Sequence, residues 1–342
     1  MCLWHLGRLS EFRHPHILCG WYLRLRLSCD RRRACRNVIA YCRVTQPMSE
    51  QIGERLMKRF VSVEAVNLRS IPSTENNTPI GSMTLGQEVE DLGGAPAGWH
   101  HVRTKMGGLT VEGYSVDGLA DSKFKWAPTA KQPTLRPLDT PAREALVAAA
   151  VEQWLRFDKG RGKETVEPYS TYIHEMWKAL KRNLTGKDTG YPWSAVAISL
   201  MVSNAAKTIP EFQAFKRSVG HAAYMWDAIK KRASEDRSAP FWGVRITEEK
   251  PQVGDIVGSW RDKPYTFDQY LAASKNPEAP SHSDIIVAVG TEVALAIGGN
   301  VSQSVFVTGY QLTADGNIAK NQRFLKGKLV GEAIVLMKNR ID

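Results

Sequence analysis

The chain is predicted to fold as an α+β protein in two parts: a small all-β unit, then a larger domain of helices packed on an antiparallel sheet. Three observations predict this. Short alternating runs divided by Gly, Pro, Asn and Ser fill residues 59–121. Apolar residues recur at helical spacing in several stretches after Pro141. Two runs, 284–289 and 293–297, are apolar on both faces, as central strands are, and flank a Gly290-Thr291-Glu292 turn. At 342 residues the chain is long enough for two such cores.

Residues 1–58 read as a basic leader. The net charge is +11, but residues 1–47 hold nine Arg against only Glu11 and Asp30, so +7 sits there and the body is mildly basic. No stretch combines a basic stripe with interleaved aromatics, which argues against a nucleic-acid partner. Cys2, Cys19, Cys29, Cys35 and Cys42 are the full set and all precede Met48. The rest of the chain therefore has no thiol for catalysis, for a disulfide or for a cysteine metal site. Arg24, Arg26 and the Arg31-Arg32-Arg33 cluster interrupt any apolar run of signal-peptide or membrane length. Two readings of the leader stand: a start assigned too far upstream, with Met48 the true start, or a basic disordered arm.

In the β unit, strands are expected over residues 65–69, 87–92, 99–104 and 109–114. Residues 122–140 then shift to Lys, Thr and Pro with little periodicity, the composition of a semi-extended linker, so the two parts are expected to be separable. The larger domain spans 141–342. Thr140 caps and Pro141 opens its first helix, with Leu146, Ala150, Trp154 and Phe157 on one face. A second follows Pro168, with Tyr169, Tyr172, Ile173, Met176, Trp177 and Leu180 on one face. His174-Glu175 lies on it, but position 178 is Lys, so the two-histidine zinc motif is absent.

After Tyr191-Pro192-Trp193, Ser194 precedes a run apolar almost all round, which belongs inside a core. Pro192 disfavours helix before it, so Ser194 is expected at the helix N-terminus, among unpaired amides and the positive dipole end. These residues alone allow a simple cap as well as a reactive hydroxyl. Gly220-His221 opens a further helix, where His221 either lines a pocket or is a satisfied structural histidine. Residues 259–280 read as a long loop. His282 and Asn300 each lie nine residues from Thr291, so a hairpin centred there sets them side by side. A one-residue shift in the turn would break that pairing. Later strands are expected over 304–312, 328–330 and 333–337, with Asp315-Gly316 as a hairpin turn.

Four short motifs follow one another in the larger domain: Pro192-Trp193-Ser194-Ala195, Gly254-Asp255-Ile256, His282-Ser283-Asp284-Ile285 and Gly298-Gly299-Asn300. Their succession resembles the NlpC-type and CHAP papain-like peptidoglycan amidases, whose pattern runs Trp-Cys-Ala-Ala-Phe, Gly-Asp-Val, Gly-His-Val and a Gly-Gly-Asn-like element. It looks closest to an uncharacterised bacterial branch with Ser in place of Cys, and the likeness covers roughly the last three fifths of the chain. Residues 66–74, Ile80-Gly81, Gly86-Gln87-Glu88-Val89 and Gly98-Trp99-His100-His101-Val102-Arg103 resemble the bacterial SH3-like barrel, which commonly binds cell-wall peptides or glycans or docks beside a hydrolase. Trp99 and Tyr114 would be its ligand-facing aromatics, or core residues of a spacer.

The resemblance implies a papain-like domain that hydrolyses amide bonds in cell-wall peptides. Ser194 would be the nucleophile, His282 the base and Asn300 its orienter, with His221, Asp284 and Trp193 in secondary roles. A Ser hydroxyl has a far higher pKa than a thiol, so it needs a true general base. The alternatives are a catalytically retired domain that binds wall peptide or glycan, and a metal-dependent hydrolase with His221, His282 and Asp284 as ligands. No cofactor is expected. The expected partner is peptidoglycan or its peptides, with a secretion machine or an immunity protein as further partners and no transmembrane segment. By analogy, the protein would be made in the cytoplasm and exported to the periplasm or the extracellular space.

Overall fold

The structure, a computed structural model, describes residues 57–120, 131–325 and 328–341. The basic leader expected over residues 1–58 lies outside them, apart from Met57 and Lys58.

The β unit comprises β1 (Met57–Val61), β2 (Ala65–Leu68), β3 (Gly81–Thr84), β4 (Glu88–Asp91), β5 (Trp99–Met106), β6 (Leu109–Val116), β7 (Gly118–Ala120), β8 (Lys131–Pro133) and β9 (Leu135–Pro137). Five of these form an antiparallel sheet in the order β6-β5-β4-β1-β9, while β2 pairs with β3 and β7 with β8. All four runs expected from the sequence are strands. Alternation does the work here: Val66 and Leu68 of β2 point inward between exposed Ala65 and Asn67, and join Val61, Met83, Val89 and Val102 in one core.

The expected linker, 122–140, is corrected in its second half. Strands β8 and β9 lie within it, and β9 closes the sheet against β1. Thr134 between them is fully buried, its N–H donating to the Asp117 carbonyl and its hydroxyl to that of Val116. Strands of three residues broken by proline carry too few alternations to register as a pattern. The two parts also share contacts. Arg136 stacks over Phe60 and forks onto Glu144 at 2.6 and 2.7 Å, while Leu85 enters the helical core and Gly86 abuts Val151. These contacts run against the expectation that the parts separate freely.

The larger domain contains α1 (Pro141–Arg156), α2 (Tyr169–Ala179), α3 (Ser194–Ala205), α4 (His221–Ala233), β10 (Phe241–Val244), β11 (Ile256–Arg261), α5 (Phe267–Ala272), β12 (Ser281–Val289), β13 (Val293–Val301), β14 (Ser304–Gln311), β15 (Arg323–Leu325) and β16 (Lys328–Asn339). Its antiparallel sheet runs β10-β16-β11-β12-β13-β14, with β15 also on β16. The long loop expected over 259–280 is shorter than that. Residues 259–261 belong to β11, and a capping box of Thr266 and Gln269 starts α5.

Helix α3 is the centre of the domain, with Val196, Ile198, Met201 and Val202 fully buried against other helices and the sheet. Strand alternation gives the sheet two interiors. Ile285, Val287, Leu295 and Ile297 face the helices. Ile286, Ala294 and Ala296 face a smaller core on the other side, with Tyr310 and Leu312. The Gly-Asp-Ile element is part of the frame. Fully buried Asp255 accepts from Arg143 of α1 at 2.9 Å and from Lys338 of β16 at 2.6 Å, joining the first helix to the last strand.

Candidate active site

Ser194 is the first residue of α3 and Trp193 is the N-cap residue, with no side-chain capping bond. The hydroxyl is thus not spent as a cap. Trp193 is held instead by its ring, which stacks on Phe157 at 5.7 Å while Nε1–H donates to Glu164 Oε2 at 2.7 Å. The Ser194 hydroxyl, on a residue 4% exposed, reaches His221 Nε2 at 2.6 Å. His221 in turn opens α4, after an extended Gly220. Two helix N-termini, each with unpaired first-turn amides, therefore meet at one serine–histidine pair.

The other nitrogen of His221 is also engaged. Nδ1 contacts Ser283 Oγ at 2.9 Å and the Tyr224 hydroxyl, and those two hydroxyls are 2.8 Å apart. With Ser194 donating to Nε2, the ring proton resides on Nδ1, where oxygen acceptors surround it. Burial, the charge of His282 and that of Arg261 hold the His221 pKa well below its ordinary value of 6.5, so the ring is a neutral base. Burial likewise raises the Tyr224 hydroxyl well above its ordinary 10.0, so it stays protonated and can donate.

His282 and Asp284 stand two residues apart on the opposite face of β12 from Ser283. His282 Nε2–H donates to Asp284 Oδ1 at 3.0 Å, and the Tyr310 hydroxyl donates to Oδ2 at 2.5 Å. The His282 ring centroid is 5.1 Å from that of His221. The Gly-Gly element makes room on both sides. A Cβ on Gly298 would lie 1.6 Å from Asp284 Oδ1, and one on Gly299 would meet Ala197 at 2.3 Å and Trp193 at 3.1 Å.

Three sequence expectations are corrected. The histidine bonded to Ser194 is His221, not His282, because α4 begins beside α3. Asp284, not Asn300, orients His282. The hairpin has the expected register at Ile285↔Ile297, but only because a bulge between Ile286 and Ala288 offsets a one-residue shift nearer the turn. Beyond Gly298 the chain bulges again, and Asn300 adopts φ 54° with no hydrogen bond to His282 among the described residues. The proposed metal set is the third. Among the described residues no three His, Cys, Asp or Glu converge on a point, and Nε2 of His221 is taken by Ser194 and Nε2 of His282 by Asp284.

Tyr224, Ser283, Tyr310 and Glu164 were not found from the sequence. Tyr224 had a usable signal, since three residues beyond His221 on a helix is the same face. In the β unit, the pairings Trp99↔Val116 and His101↔Tyr114 set Trp99, His101 and Tyr114 on one outward face. Tyr114 stacks on His101 at 4.5 Å and His101 meets Glu112 at 3.0 Å.

A family model described as "Uncharacterized protein conserved in bacteria (DUF2272)" matches residues 159–336, which include every residue of both hydrogen-bonded clusters. Among solved structures, the chain is similar to NlpC2 from Trichomonas vaginalis, at 14% identity and a TM-score of 0.23, over 82% of this chain and 74% of that one. It is similar to NlpC1 from the same organism at 14% identity and a TM-score of 0.23, over 78% and 69%. No curated protein matches it.

Proposed function

The chain belongs to the bacterial DUF2272 family, and we propose that it is a serine-dependent hydrolase of amide bonds in cell-wall peptides, with a papain-like arrangement of helix and sheet. One observation carries the reading: the Ser194 hydroxyl at 2.6 Å from a buried, neutral His221 Nε2. A hydroxyl attacks only as its proton leaves, and a neutral imidazole within hydrogen-bond reach accepts that proton. The first-turn amides of α3, which adjoin Ser194, would supply donors for the negative charge that develops on the attacked carbonyl oxygen. Ser283 and Tyr224 fix the tautomer from the other side of the ring, a part usually given to a carboxylate or amide.

The substrate class is supported by the order of the four motifs, which matches that of peptidoglycan amidases. The SH3-like reading of the β unit is supported by the outward Trp99, His101 and Tyr114, an aromatic surface suited to wall peptides or glycans. Delivery of the hydrolase to the wall is the role this implies. The 4% exposure of Ser194 favours a second reading, a domain that holds wall peptide without cutting it.

The test is mass spectrometry of purified muropeptides incubated with the full chain. Cleavage products that vanish with Ser194→Ala are expected. Products that persist undiminished in Ser194→Ala refute the mechanism. Uncut muropeptide that co-purifies with the natural chain establishes the binding reading instead.

A further inference from the structure

We infer that the His282–Asp284–Tyr310 chain is a second proton-carrying device of this site: His282 is the acid that protonates the leaving nitrogen, while His221 serves Ser194. The inference rests on the Ser194 chemistry proposed above and assigns a separate task to the second histidine.

The geometry points there for three reasons. His282 is 5% exposed, its Nε2 is committed to Asp284, and its Nδ1 has no hydrogen-bond partner among the described residues. A buried imidazole with one nitrogen anchored and the other open is fixed in orientation and ready to hand over a proton. Secondly, the anchor is itself anchored, since Asp284 Oδ2 receives the Tyr310 hydroxyl and Gly298 leaves the carboxylate its space. His282 is thus held by a carboxylate, whereas only hydroxyls hold the Nδ1 of His221. Thirdly, the two rings lie 5.1 Å apart and tilted by 55°, which sets His282 directly beside the histidine that serves Ser194.

The protons balance over a turnover. Ser194 Oγ bonds to the carbonyl carbon and its proton passes to His221 Nε2. As the C–N bond breaks, His282 Nδ1–H gives its proton to the departing nitrogen, leaving an acyl-serine, a protonated His221 and a neutral His282. Water then attacks the ester. One water proton goes to His282, the C–O bond to Ser194 breaks, and the His221 proton returns to Oγ. Asp284 and Tyr310 touch no substrate and are positioning residues.

The inference separates leaving groups that need a proton from those that do not. His282→Gln is expected to lower muropeptide cleavage by about 100-fold or more while leaving the pre-steady-state burst of p-nitrophenolate from p-nitrophenyl acetate, which reads acylation alone, within about threefold of the natural chain, because p-nitrophenolate departs unprotonated. Tyr310→Phe, which removes one hydroxyl and no ring, is expected to show the same selectivity at about tenfold. It carries the test if a thermal melt shows His282→Gln to be unfolded. An equal loss on both substrates would make His282 the base for Ser194 and overturn the inference, as would no loss on either. Failure of the Ser194 mechanism itself has a different signature, muropeptide cleavage that survives Ser194→Ala.

Discussion

Ser194 Oγ and His221 Nε2, 27 residues apart in the chain, meet at 2.6 Å because α3 and α4 begin at the same place. The pairing has a pH signature. Burial holds the folded-state pKa of His221 well below 6.5, the ordinary value that the unfolded chain keeps. As pH falls below that value the unfolded state takes up a proton that the folded state refuses. The neutral histidine's contribution to stability is therefore complete above pH 6.5 and shrinks below it. The natural chain is expected to lose stability toward acid at up to about 1.4 kcal/mol per pH unit from this group, and His221→Gln to lose correspondingly less. Urea midpoints measured across the acid range check this; parallel curves would contradict it.

Asp255 is expected to be the most costly single carboxylate to remove. Both its oxygens are occupied, Oδ1 by Arg143 and the Asn339 amide, Oδ2 by Lys338 and the Gln252 amide. Asp255→Ala would leave buried Lys338 without a counter-charge and Arg143 with only Asp139 at 3.8 Å, a loss of about 3–5 kcal/mol. A urea midpoint that stays put would show the cluster to be dispensable.

The two candidate partners of His282 are separable by its imidazole resonances. Asp284→Asn should shift them and their pH dependence, since it removes the charge bonded to Nε2. Asn300→Gly, which keeps the left-handed backbone at φ 54°, should leave both unchanged. A reversed outcome would restore Asn300 as the orienter.

Wall attachment is expected to depend on the outward aromatics of the β unit and not on the hydrolytic residues. Trp99→Ala or Tyr114→Ala in the full chain should reduce sedimentation with purified cell walls, while Ser194→Ala should not. Undiminished sedimentation of both aromatic variants would leave the unit as a spacer.

The frame of the larger domain was legible because long helices and fully buried strands write their periods plainly. Thr140-Pro141 marked α1, the apolar run after Ser194 marked α3, and Gly220-His221 marked α4. What was not legible depended on where unrelated segments cross. Nothing near Ser194 announces that the loop after α3 returns to set His221 beside it. The hairpin register was readable only as a count from Thr291, and the compensating bulge after Ile286 carries no local signal. Glu164 reaches Trp193 from a stretch without regular structure. The strands β8 and β9 were hidden by their prolines and brevity.

The most direct measurement is covalent labelling of the full chain with a fluorophosphonate, read by mass spectrometry of the peptide that contains Ser194. An oxygen nucleophile activated by a neutral histidine forms a stable phosphonyl adduct, whereas an ordinary buried serine does not. The expected result is one adduct on Ser194 that disappears in His221→Gln. No adduct on Ser194, or one undiminished in His221→Gln, would contradict the account.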